Sequence, residues 1–276
     1  MNPKQNNLHL AFFGTSHIAV YVFDALKNAG RMPELIVTIP GKSKSPVALW
    51  AETHSIPLAF DWEEFERGAW DAAIVVDYGK ILPKRLLDIP KHGFVNVHPS
   101  LLPRLRGPSP MRSAILHGEE KMGVSVMLVD EQMDHGPIIA QKIVDIPNQP
   151  VKNSVLEHAL MTAGGALLCD MLPKWIAGDI EAQPQNHDVA TYSEKFSKED
   201  GLLNLSDDAE VNLRKIYAFE TWPGTYAFFE RAGKKLRVQI LDAHIEHGAL
   251  AIDSVKPEGK KEMPYKDFLL SGAKAV

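Results

Sequence analysis

The sequence predicts an α/β protein in two parts: an open, mostly parallel sheet with helices on both faces, followed by a small β-barrel. Three observations carry this. Apolar runs of strand length alternate with segments of helical periodicity through residues 1–182, the chain turns polar and rich in turn formers over 183–200, and short β-like runs separated by Gly, Lys and Pro fill 201–276. With 276 residues, 45% of them apolar, there is enough chain for one large and one small core.

Leu8–Phe13 reads as a buried strand. Gly14, Thr15 and Ser16 supply a turn and a helix N-cap, and Ile18, Val22 and Leu26 recur at helical spacing. A second βα unit follows, with strand Leu35–Ile39 and a helix opened by Pro46, which suits a first helical turn. Ala72–Val76 and Gly93–His98 continue the strands, and Val124–Val129 and Ile138–Val144 make a later pair. Ser154 to Glu157 fits a capping box ahead of a long one-faced helix through Leu168, perturbed at Pro173. Beyond the linker, apolar periodicity returns at Val211, Leu213 and Ile216, before β-like runs at 226–229, 236–240 and 249–252.

The net charge of −5 gives no general drive toward nucleic acid, so any RNA contact must use local basic patches. The single cysteine, Cys169, lies in an apolar stretch and reads as core packing; it has no second thiol to pair with. The polar start, Met1 to Gln5, lacks a secretory apolar stretch, and no run approaches membrane-spanning length. A cytoplasmic protein with no membrane partner, monomeric, is the expectation. Gly14 stands without a G-x-G-x-x-G fingerprint, which argues against a dinucleotide enzyme. With no Cys pair and no His-Glu-x-x-His, no metal is expected, although His98, Asp134 and His135 are a conceivable set.

Asn96 and His98 are two apart at the end of an apolar strand, so both side chains project from one face at the carboxyl edge, where open α/β sheets bind ligands. Taken alone, the pair also fits a strand-end turn. The loop Ser100 to Pro110 is proline-rich yet contains Leu101, Leu102 and Gly107, a composition suited to a rigid, ligand-facing loop. Asp134 lies between two apolar runs, where a solvated turn acid is the plain alternative.

These segments together, Asn96-Val97-His98-Pro99-Ser100-Leu101-Leu102-Pro103, Arg106-Gly107 and Met133-Asp134-x-Gly136-Pro137-Ile138, resemble the signature of the 10-formyltetrahydrofolate-dependent formyltransferases. Asp77 to Pro83 is similar to the family's folate-pocket segment and Phe13-Gly14-Thr15 to its opening turn. Tyr192–Gly201, Ala218–Gly224 and Pro257–Met263 with Asp267-Phe268-Leu269 resemble the members that act on charged initiator tRNA. The resemblance implies a Rossmann-like catalytic sheet, an OB-like barrel that contacts tRNA, and formyl transfer from 10-formyltetrahydrofolate to the methionyl amine. It places folate against Tyr78, Gly79, Ile81, Leu82, Ser100, Leu101, Leu102 and Pro103, the leucines alternatively being core. A sugar-nucleotide N-formyltransferase, with the same donor and catalytic group, is the competing expectation.

An amine attacking a formyl carbon leaves negative charge on oxygen and positive charge on nitrogen. Asn96 and His98 are expected to donate to the oxyanion, and Asp134 to orient His98, favour its charged form and assist proton removal. An α-amino group, with a pKa of about 7.7–8.0, is already partly neutral near pH 7 and needs no strong base.

Arg104 and Arg106 are expected to approach the folate glutamate or tRNA phosphates, or to be solvated. The loop after the second strand, Gly41 to Ser45, is shorter than the family's usual basic loop but offers Lys42 and Lys44 to phosphates. Gln132 stands where the family generally has glycine, and His135 adds an imidazole beside the acid. Arg231, Lys234, Lys235, Arg237, Lys260 and Lys261 are candidates for one tRNA-facing surface or a dispersed solubility surface.

Overall fold

The computed structural model describes residues 8–39, 41 and 45–276. Lys42 and Lys44 therefore lie outside the described residues. The chain divides into two units that interleave in sequence. The first takes the chain up to Gly107, then Lys121–Asp145 and Glu157–Tyr192; the second takes Pro108–Glu120, Ile146–Leu156 and Ser193–Val276.

In the first unit, β1 (Leu10–Gly14), β2 (Leu35–Val37), β3 (Leu58–Ala59), β4 (Ala72–Val76), β5 (Phe94–His98), β6 (Met122–Leu128) and β7 (Ile138–Val144) form one sheet in the order β3-β2-β1-β4-β5-β6-β7. The first five strands pair in parallel, β6 pairs antiparallel with β5, and β7 pairs antiparallel with β6. Strand order reverses between β1 and β4, which opens a crevice at their carboxyl ends.

Helices cover both faces. On one side α1 (His17–Asn28), α2 (Pro46–Thr53) and most of α6 (Asn153–Ala177) bury Val22, Phe23, Trp50, Met161 and Leu168 against Leu10, Phe12, Ile74, Val95 and Val97. On the other, α3 (Glu63–Arg67) and α4 (Lys84–Leu87) contribute Phe65 and Leu86 beside Phe13, Tyr78 and Phe94. Gly164 is what lets α6 lie so close to the sheet: a Cβ there would stand 2.5 Å from Val97 Cγ1.

Two local expectations are corrected. The capping box at Ser154 does not form, since Asn153 already begins α6. The Ser154 amide donates to Glu220 Oε1 at 2.5 Å, and the Glu157 carboxylate pairs with His17. Moreover α6, at 25 residues, is long and apolar enough to cross a bilayer by length and composition, contrary to the expectation that no run is. Its apolar content is explained by packing, because Met161, Leu168, Cys169 and Leu172 belong to the sheet-facing core.

The polar stretch over 183–200, expected as a linker, is tied down along its first half. Gln183 and Ile138 exchange backbone hydrogen bonds at 2.8 Å in both directions. The Arg106 amide donates to the Thr191 carbonyl at 2.9 Å, and Gln185 is buried. Polar composition there reflects hydrogen bonding to neighbouring backbone rather than solvation.

In the second unit, β8 (Thr225–Arg231), β9 (Lys234–Glu246), β10 (Ala249–Pro257), β11 (Met263–Pro264) and β12 (Lys274–Ala275) make an antiparallel sheet ordered β11-β10-β9-β8-β12. The two-residue turns Ala232-Gly233 and His247-Gly248 have positive φ at both positions, as type I′ hairpin turns require. Register shifts between Ile252 and Val255 mark a bulge in β10. The inner face, with Ala227, Phe229, Val238 and Ile240, packs on α7 (Ala209–Ala218) through Leu213 and Ile216 and on α8 (Tyr265–Leu269) through Phe268. The helix α5 (Pro110–His117), unanticipated behind its prolines, also packs on α7.

Candidate active site

On β5, Phe94, Asn96 and His98 share one face, with Val95 and Val97 on the other. Phe94 anchors that face in the core against Phe13 and Phe65. Asn96 is half-buried, and among the described residues its carboxamide has no hydrogen-bond partner, so its donors are available. His98 is 4% exposed, and both ring nitrogens face acceptors: Nε2 donates to the Leu105 carbonyl at 3.1 Å, while Nδ1 is 3.6 Å from Asp134 Oδ1. A carbonyl only accepts, so Nε2 carries a proton.

Asp134 holds φ +51, in the left-handed region that Asp tolerates better than most residues. Its Oδ2 accepts from the Gly107 amide at 2.7 Å, leaving Oδ1 turned to His98. The three residues expected to form the catalytic group are thus split two and one: His98 and Asp134 are neighbours, and Asn96 stands on the same strand face without bonding to either.

The folate candidates divide. Ser100 and Leu102 are buried in loop architecture: Ser100 Oγ donates to the Arg104 carbonyl at 2.6 Å, and Ser125 Oγ accepts from the Leu102 amide at 3.1 Å while donating to the Ser100 carbonyl at 2.6 Å. Leu101 and Pro103 are half-buried. Leu101 fills the space over Gly123, where a Cβ would fall 2.5 Å from Leu101 Cδ2. Tyr78 points its ring into the core, where Trp62 Nε1 donates to its hydroxyl at 2.9 Å and burial pushes the phenol pKa up. Its carbonyl accepts from Thr15 Oγ1 at 3.0 Å. Leu82 is core as well, whereas Ile81 is 80% exposed beside Gly79, whose φ is +80. An exposed apolar side chain next to bare backbone is a fit surface for a flat heterocycle.

Arg104 is exposed, but Arg106 is 2% exposed, correcting its expected place at phosphate or glutamate. Its guanidinium is turned inward onto Gln185 Oε1, at 3.1 Å from Nε and 2.6 Å from Nη2, and onto His187 Nδ1 at 2.9 Å. His135, adjacent to the acid, bonds Asp130 at 2.6 Å and stacks on His187 at 4.0 Å, so it adds no imidazole to the His98–Asp134 pair. Gln185, His187 and Leu105 are site residues the sequence did not reveal: two sit in a stretch whose polarity reads as linker, and the third acts through its carbonyl.

In the second unit the basic candidates separate onto two faces. Lys235 and Arg237 alternate onto the outer face with Tyr226 and Phe228, Lys235 lying 4.0 Å over the Phe228 ring and Arg237 3.8 Å over Tyr226. Lys256 aligns with Gln239 on the same side, and a cleft of about 200 Å³ is lined there by Arg237, Gln239, Lys256 and Glu258. Arg231 and Lys234, paired at the hairpin tip, have the opposite parity, so one continuous surface does not form. Lys260 and Lys261 are exposed in the turn after β10.

Family models place a formyl transferase domain over residues 62–172 and a formyl transferase C-terminal domain over 195–249. A methionyl-tRNA formyltransferase of Thermus thermophilus is 36% identical over 95% of this chain and 95% of its own, and one from Chloroflexus aurantiacus is 36% identical over 84% and 79%. Among solved structures, an N-formyltransferase from Helicobacter canadensis, in complex with folinic acid and dTDP-3-aminofucose, superposes with a TM-score of 0.66 at 20% identity, covering 87% of this chain and 88% of that one. HypX from Aquifex aeolicus, in complex with tetrahydrofolic acid, gives 0.69 at 17% identity, covering 96% and 47%.

Proposed function

Because the chain belongs to the formyl transferase family, among the methionyl-tRNA formyltransferases, we propose that it moves the formyl group of 10-formyltetrahydrofolate to the free amine of methionyl-initiator tRNA. Such an acceptor puts its work in the cytoplasm. The observation that carries the chemistry is the Asn96 carboxamide, without a partner among the described residues and on the same strand face as His98, whose ring is backed by Asp134.

When bound, the folate supplies an activated formyl carbon and, after the amine has attacked it, a leaving nitrogen. The chain's own work is to hold charge and move a proton. Asn96 donates to the oxygen that becomes negative. His98 supports it with an N–H only if that oxygen shares or replaces the Leu105 carbonyl at Nε2, since Nδ1 is committed to the acid side. Asp134 stabilises the charged ring and accepts the proton that the attacking nitrogen sheds, directly or through water, and that proton is passed back to the leaving nitrogen as its bond to the formyl carbon breaks. Ile81, the Gly79 backbone and the exposed edges of Leu101 and Pro103 form the folate-facing wall, with Ser100, Leu102 and Leu82 supporting it from behind.

For the acceptor, the outer face carrying Tyr226, Phe228, Lys235, Arg237 and Lys256 offers cations beside aromatic faces, a combination suited to phosphate and unstacked bases. Arg104 and the Lys42/Lys44 loop are further candidates for the acceptor end. Offering charged initiator tRNA and amino-sugar nucleotides together, with the folate donor, tests the assignment. Formylmethionyl-tRNA is the product expected, and formylation of the sugar alone would sink it.

A further inference from the structure

We propose that Arg106 and Gln185 are positioning residues that hold the Asp134 carboxylate against His98. The inference rests on the catalytic reading of Asp134 given above. A single amide nitrogen, Gln185 Nε2, donates to two carbonyls of the acid loop, Asp134 O at 2.9 Å and Gly136 O at 2.7 Å. The first is the carbonyl of the left-handed residue itself and the second lies two residues on, so the chain leaving Asp134 is fixed on its C-terminal side. Gln185 is 5% exposed, and its other end is fixed by two N–H groups of the Arg106 fork, both directed at Oε1. The amide orientation follows: Oε1 must face the guanidinium, and Nε2 must face the carbonyls.

The same short segment grips the acid a second way, because the residue after Arg106 is Gly107, whose amide bonds Asp134 Oδ2. Side chain and backbone of Asp134 are therefore tied to one chain segment, 106–107. That segment is itself pinned by the Arg106 amide on the Thr191 carbonyl and the Leu105 amide on Thr191 Oγ1 at 2.9 Å. A third tie runs through His187, whose Nδ1 must be unprotonated to accept from Arg106 and whose ring stacks on His135, the neighbour of Asp134. Asp130 holds the His135 ring of that stack through Nδ1.

Among the described hydrogen bonds the Arg106 side chain meets only neutral acceptors, Gln185 and His187, and no carboxylate. Burying a guanidinium on such terms is costly, and a hydrocarbon side chain would fill the same volume. What the fork adds is geometry: a planar donor pair that fixes one oxygen rigidly. An acid already in a disfavoured backbone region needs such over-determination to keep its aim.

The test is a double-mutant cycle on turnover with charged initiator tRNA and 10-formyltetrahydrofolate. Gln185→Glu keeps the shape and the Arg106 pairing but turns an acceptor toward both carbonyls; kcat is expected to fall about 10²-fold with KM for both substrates nearly unchanged. Placed on Asp134→Asn, the same change is expected to cost less than about threefold, because the residue it aims is already disabled. Full additivity, or an undiminished kcat in Gln185→Glu, overturns the inference while leaving Asp134 catalytic. A fully active Asp134→Asn fells the catalytic reading and this inference with it. Should Gln185→Glu fold poorly, Arg106→Lys, which keeps the charge and loses the fork, takes its place in the cycle. The His98 ring resonances followed by NMR in Arg106→Lys, which adds no charge, give a readout independent of turnover: they are expected to move toward their positions in Asp134→Asn, and resonances identical to wild type in a folded Arg106→Lys count against the proposal.

Discussion

Asp134 presents one carboxylate oxygen to His98 across 3.6 Å while the other is held by a backbone amide, so the acid is anchored without being neutralised. An Asn at 134 keeps an oxygen for the Gly107 amide and removes the charge facing the ring. Asp134→Asn is therefore expected to fold normally and to lose about 10²–10⁴ in kcat, with KM largely retained. Steady-state formylation and a thermal melt measured together check both halves.

Asn96 is the one member of the group whose polar atoms are not engaged elsewhere among the described residues. Replacing it with Ala removes an oxyanion donor and leaves no buried partner orphaned. A kcat reduced by about 10²–10³ with little change in stability is expected. Near wild-type turnover in Asn96→Ala would remove it from the mechanism.

Gly123 on β6 is where the Leu-Leu-Pro loop meets the sheet. A Cβ at 123 would stand 2.4 Å from the Lys142 carbonyl and 2.5 Å from Leu101 Cδ2, and the first of these is backbone with nowhere to go. Gly123→Ala is expected to cost roughly 1–3 kcal/mol in urea denaturation through overpacking. It should also raise KM for the folate by shifting Leu101, and unaltered folate affinity would detach that loop from the donor site.

Asp71 is one source of acid sensitivity in the first unit. The His9 amide and then the Lys91 ammonium hold its carboxyl below the ordinary carboxylate range, against the opposing effect of burial. A depressed folded value means stability that is present above the unfolded pKa of about 3.9 and is lost as pH falls through the folded one. Wild type should melt above Asp71→Asn at neutral pH, with the gap closing below about pH 4. A gap that persists unchanged into acid contradicts an origin in the ionised carboxylate.

The split between the two basic groups of the second unit is open to direct measurement. Removing Lys235 and Arg237 from the outer face should weaken binding of charged tRNA and flatten the dependence of log K on log salt by roughly 0.7–0.9 for each phosphate no longer neutralised. The pair Arg231 and Lys234, of opposite parity, should change the slope less. Equal effects from both pairs would mean that the hairpin tip, rather than the face, meets the nucleic acid.

Most of the strand framework could be read from the sequence because the strands are largely apolar, β-prone runs with turn formers near their ends: Ala72–Val76 and Ile138–Val144 fall where the residues put them. The parity that sets Asn96 and His98 on one face follows from the same rule. Short elements such as β3, α3 and α4 carry too few residues for a period to register. The capping box failed because Ser and Glu at the right spacing found stronger partners far away in sequence, Glu220 and His17. In the site, Arg106 and Gln185 escaped for a common reason: both are polar types that sequence reasoning assigns to the surface, and their burial depends on meeting each other across 79 positions of chain. Tyr78 and Leu82 show the converse, lying in a segment expected to meet the folate while their side chains pack in the core.

The interleaving of the two units sets an order of events during synthesis. The helix α5, ending at His117, leaves the ribosome roughly ninety residues before the α7 on which it packs, an interval of about 5–20 s at ordinary elongation rates. Throughout that interval Met111, Ala114 and Ile115, destined for burial, lack their final partner. The second unit is thus born in instalments, and its early helix must wait, half covered, for a neighbour encoded far downstream.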